Sequence, residues 1–127
     1  MKKIILSAVI VLGLVGVFQA FGGTSLFDSL TSTTVIEANQ SFVLGEGEHG
    51  SYIAKIINKG KVDVEVFGER EKEARKSLGV LKPGDKGEYN VAKNMKVIFK
   101  NLGDTTATIG IKLSGDTGLS MGYKPNE

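Results

Sequence analysis

The chain is 127 residues long, enough for one domain around one core, and it contains neither cysteine nor tryptophan. Its 16 Lys and Arg stand against 14 Asp and Glu, and Lys2 and Lys3 both precede the first acid, so the chain beyond them is charge-balanced. This composition excludes a strongly basic nucleic-acid binder, a disulfide-stapled scaffold and a lipoprotein, which needs a Cys to carry its lipid.

Lys2 and Lys3 open onto a largely apolar run from Ile4 to Phe18, followed by the small-residue zone Ala20-Phe21-Gly22-Gly23. That is the order of a secretory signal, with cleavage expected after Gly22. Left uncleaved, residues 4–20 are about long enough to anchor the chain in a bilayer. Both readings place the domain outside the cytoplasm, secreted or periplasmic, with the membrane touched only through this segment. An exported domain without disulfides must hold by its core and sheets, which is more usual for a bacterial envelope protein. The expected division is a signal or anchor at 1–22, a Ser- and Thr-rich linker at 23–32 and a folded domain at 33–124.

The β-branched residues Thr33, Thr34, Val35 and Ile36 predict a first strand, and Ser41 to Leu44 a second after the Asn39-Gln40 turn. The glycine-rich stretch Gly45-Glu46-Gly47-Glu48-His49-Gly50 interrupts the pattern. Tyr52 to Ile57 resumes it, with Tyr52, Ala54 and Ile56 on one face. After the turn Asn58-Lys59-Gly60-Lys61, Val62, Val64 and Val66 alternate with Asp63, Glu65 and Phe67. Gly68 to Ser77, dense in charge with Ala74 as its one apolar contact, reads as an edge strand or an irregular loop. Leu81-Lys82-Pro83-Gly84-Asp85-Lys86-Gly87 is a turn by composition, and Tyr89 and Val91 mark the next strand.

From Met95 to Leu113 every second residue is apolar or a strand-favouring Thr, on both sides of Asn101-Leu102-Gly103-Asp104. The spacing predicts a β-hairpin whose Asn and Gly supply the positive φ of a tight turn. Leu119, Met121 and Tyr123 recur at period two before Pro125. About eight short strands, with a turn every 8 to 12 residues, predict an all-β fold: a small antiparallel β-sandwich, jelly-roll-like. No internal repeat is visible in the sequence.

Chemistry-bearing residues are sparse. His49 is the one histidine and stands beside Glu46 and Glu48, a set that could ligate a metal or supply a base, with Asp63 or Asp116 as further oxygen donors for calcium. A transition metal would want a second nitrogen or sulfur ligand, which the chain lacks, so the bland reading of the loop is a solvated tip. Ser51 lies near His49 without an elbow motif, and a carboxylate pair from Glu46, Glu65, Glu71 and Glu88 would need a cleft. Aromatic contacts to a ligand would come from Tyr52, Phe67, Tyr89 and Tyr123. No cofactor and no nucleic acid are expected. The reading is a non-catalytic binding or structural module of the cell envelope, its partner an envelope protein or glycan. The alternatives are a carbohydrate- or calcium-assisted adhesion module and a small hydrolase using the Glu46–His49 loop.

Overall fold

The computed structural model describes residues 29–126, which form nine β-strands and no helix. The signal or anchor at 1–22 and residues 23–28 lie outside the described residues. In chain order the strands are β1 (Ser29–Ile36), β2 (Gln40–Leu44), β3 (Tyr52–Asn58), β4 (Val64–Glu69), β5 (Lys76–Leu81), β6 (Lys86–Val91), β7 (Lys96–Asn101), β8 (Ala107–Gly115) and β9 (Met121–Pro125). They form two antiparallel sheets, β1-β8-β3-β6 and β5-β4-β7-β2-β9, packed as a β-sandwich. β1 begins at Ser29, so the last four residues of the stretch read as a linker pair with β8.

Period-two patterning decides which face each strand buries. Ala54 and Ile56 of β3 and Ile109, Ile111 and Leu113 of β8 point inward from one sheet. Val64 and Val66 of β4, Phe42 and Leu44 of β2, and Val97 and Phe99 of β7 meet them from the other. Phe42 and Phe99 stack at 6.3 Å between centroids in the middle of this core. With no disulfide available, burial of these side chains, roughly 1.5–3 kcal/mol for each one larger than alanine, is the main term opposing chain entropy.

One sequence expectation is overturned. β7 and β8 are not a hairpin: they lie in different sheets, and Asn101-Leu102-Gly103-Asp104 carries the chain across the core from one to the other. Neither Asn101 nor Gly103 takes a positive φ. Asn101 instead turns its side chain inward, its amide donating to the carbonyls of Ile36, Glu37 and Thr105 while its Oδ1 accepts the Gly103 N–H. Gly103 is needed for space, since a Cβ there would stand 2.5 Å from Val62. The turn after β3 repeats the device: Asn58 donates to the carbonyls of Val62 and Leu81 and accepts from Gly60 N–H. Each Asn thus binds the N–H two residues on and the carbonyl four residues on, and closes an end of the sandwich.

The ambiguous segment resolves as the turn of the one hairpin between consecutive strands among the described residues, β4 to β5, with a register shift at Val66/Phe67. Repetition that the sequence hides is plain in the connectivity. The pairings β1–β8, β8–β3 and β3–β6 map onto β5–β4, β4–β7 and β7–β2, so β1–β4 and β5–β8 are two halves of one design, each with its Asn-x-Gly crossing.

Candidate ligand-binding face

The loop between β2 and β3 carries His49, Glu46 and Glu48, and the structure separates them. His49 is buried, not solvated. Its Nδ1 faces the Gly50 carbonyl at 2.6 Å and its Nε2 the Met95 carbonyl at 2.9 Å, so both ring nitrogens are already engaged and neither is turned to a carboxylate. The His49 N–H donates to Asn94 Oδ1, and the ring leans on Tyr52 at 5.4 Å. Glu46 is exposed and accepts from Lys124 Nζ at 2.7 Å, and that bond holds its carboxyl below the usual carboxylate range. Glu48 is exposed as well. Among the described residues no three His, Cys, Asp or Glu converge as metal ligands.

Asp116, in the loop after β8, accepts the N–H groups of Gly50 and Gly118, and these bonds lower its carboxyl. Together with His49 and Asn94 it knits the loops after β2, β6 and β8 into one end of the sandwich. The cluster is structural in its bonding, each polar group facing backbone. Tyr52 lies below it, with its hydroxyl buried and unbonded, and that burial raises its phenol.

The aromatics occupy different places. Tyr52 is in the core; Tyr89 is half-buried on the inner side of edge strand β6; Tyr123 stands exposed on β9 against Phe42. Phe67 lies on the outer face of the five-stranded sheet beneath the Arg75 guanidinium, 5.5 Å from the ring. They make no stacking row. Of the carboxylates, Glu65 faces out from the five-stranded sheet, where it accepts the Ser77 hydroxyl, and Glu88 from the four-stranded one.

What the sequence did not single out is the outer face of the four-stranded sheet. One row across it reads Thr31, Lys112, Lys55, Glu88, and the next reads Thr33, Gly110, Ile57, Lys86. Lys112 and Lys55 are direct cross-strand partners, like charges with Cβ atoms about 5 Å apart, an arrangement that destabilises a sheet. Lys59 folds back over Gly110, its Nζ 3.3 Å from where a Cβ would stand. With Lys86 and Glu88 these side chains line an open depression of about 530 Å³ that also includes Ile57. A second, of about 460 Å³, continues it along β3 toward Ile53, Asn90 and Ser114. Among the described residues none of the four lysines forms an ion pair.

The opposite outer face is the contrast. There Val43 and Ile98 are buried outside the main core. Alternating charges, Arg75 to Glu69 to Lys96 to Glu46 to Lys124, run as one chain at 2.7–3.8 Å. Arg75, Lys96 and Lys124 on that side are paired with carboxylates, whereas the lysines around the depression form no ion pair among the described residues.

No protein-family model matches the chain, and no curated protein sequence does. Among solved structures it is similar to the Yersinia pseudotuberculosis-derived mitogen, at 11% identity over 75% of this chain and 96% of that one, with a TM-score of 0.45. It is also similar to the Drosophila NLP core, at 18% identity over 68% of this chain and 97% of that one, with a TM-score of 0.43. Likeness at this level carries no function across.

Proposed function

We propose that the chain is a non-catalytic binding module of the bacterial cell envelope, exported by its N-terminal segment, and that it binds through the outer face of the four-stranded sheet. The strand order supports the finer name of jelly roll: two four-stranded halves wrap so that nearly every connection crosses between sheets, with β9 added at the edge beside β2. A sandwich of this kind presents rigid sheet faces, and function sits on a face or a loop cluster rather than in the fold itself.

The observation that carries the reading is the opposition of Lys55 and Lys112 on neighbouring strands, with no carboxylate within ion-pair distance of either among the described residues, although Glu88 stands across from Lys55 on β6. A sequence that is otherwise locally consistent breaks a pairing rule here, and such breaks concentrate at functional positions. The rival readings have less under them. Calcium would have to take Glu46 from Lys124 and Lys96, and a hydrolase would need His49 to release two carbonyls.

The test is retention of the purified full chain on isolated bacterial envelope material. The wild type is expected to be retained, and the double variant Lys55→Glu/Lys112→Glu to be released. Equal retention of both would remove this face from the account.

A further inference from the structure

We infer that the face takes a linear acidic oligosaccharide, its carboxylates on the lysines and its hydroxyls on the polar groups farther along β3; this rests on the binding-module reading above. The shape comes first. The two depressions follow one another on the same sheet face, from Lys59 and Lys86 at one end to Ile53, Asn90 and Ser114 at the other. Residues 53–59 span about 20 Å at strand rise. A shallow track of that length suits a chain lying across the sheet more than a small molecule, which a site would enclose.

The charge distribution sets the chemistry. Cations crowd one part of the track, with Lys55 and Lys112 side by side on neighbouring strands and Lys59 Nζ held above the side-chain gap at Gly110. The other part carries no cation and offers Ser51, Asn90 and Ser114. A ligand matched to both parts bears anionic groups and neutral hydroxyls along one chain. Glu88, at the end of the row opposite Lys55, adds an acceptor for hydroxyls. All four cations are lysines, compact point charges on flexible stems, while Arg70 and Arg75 lie elsewhere; the face is thus built for anions without the fixed fork that bidentate phosphate recognition favours.

The floor suits a sugar chain better than single-stranded nucleic acid. Ile53 and Ile57 provide aliphatic surface for the C–H face of a sugar ring. No aromatic side chain projects there on which bases could stack, as single-stranded nucleic acid requires. Gly110, in the middle of the nine-residue β8, leaves the room taken by Lys59 Cε and Ile57 Cγ2, which lie 2.8 and 2.9 Å from where a Cβ would stand.

The experiment is titration of the full chain with an oligogalacturonate hexamer, followed by amide chemical shifts and by calorimetry, with maltohexaose, inorganic polyphosphate and phosphatidylglycerol vesicles as the other arms. The uronate is expected to shift amides of β3, β6 and β8, to weaken as salt rises, and to lose about tenfold in affinity in Lys55→Gln/Lys112→Gln, the conservative version of the double change. Lys100→Gln, on the other sheet, is expected to bind as the wild type does. Equal binding of maltohexaose, or tighter binding of polyphosphate or vesicles, overturns the inference. Retention on envelope material through this face without uronate binding overturns the ligand class while leaving the module standing; loss of both overturns the two together.

Discussion

At the residue scale the most informative groups are buried polar atoms. Tyr52 is 3% exposed and its hydroxyl has no partner, so the fold carries the desolvation of that group without a bond in return. Tyr52→Phe is therefore expected to leave the melting temperature unchanged or raise it, by up to about 1 kcal/mol in stability; a loss larger than that would mean the hydroxyl is bonded. Asn101 is the reverse case, with every amide capacity used on backbone. Asn101→Ala is expected to cost about 2–4 kcal/mol in denaturant unfolding, since several buried groups lose their partner at once. A cost below about 1 kcal/mol would show that the crossing closes without it. Both residues were named in reading the sequence, yet their roles were not legible. An Asn-x-Gly triplet at a strand end carries the same local signature whether it turns a hairpin or bridges two sheets, and only the pairing of distant strands decides.

Elements show the same division. Alternation located most of the strands, and the turn read from Leu81 to Gly87 is realised at its centre, with Gly84 at φ 89°, while Leu81 ends β5 and Lys86 and Gly87 open β6. The partner of each strand was not legible, because β3 meets β8 across more than fifty residues of chain and nothing local encodes that meeting. The lysine face was hidden for that reason: Lys55 and Lys112 occupy ordinary solvent-side positions in their strands, and their opposition exists only once the register is set. His49 read as a solvated tip because Gly and Glu surround it in sequence, while the packing of three loops buries it.

Those loops make a prediction in pH. Two backbone N–H bonds hold the Asp116 carboxyl below its unfolded value, which is near about 4. A group depressed in the folded state stabilises the fold above its unfolded pKa, and that contribution is lost as pH falls through the folded value. The gap in melting temperature between wild type and Asp116→Asn is thus expected to be constant above about pH 5 and to narrow below about pH 4. A gap that stays constant across the whole range would detach Asp116 from the loop's stability.

For the whole molecule the organising fact is that charge is distributed unequally between two outer faces of a nearly neutral domain. The five-stranded sheet covers Val43, Ile98 and Phe67 with a chain of alternating charges. The four-stranded sheet sets lysines against each other around an open floor. Stability alone would reverse one of those charges, and that cost is the ground on which this face is proposed as the binding face. Urea unfolding of Lys112→Glu tests this most directly. A carboxylate at position 112 faces Lys55 with the opposite sign, and the account predicts a variant more stable than the wild type by about 0.5–1 kcal/mol. A variant less stable than the wild type would contradict it, by showing that Lys112 is held in place by the fold itself.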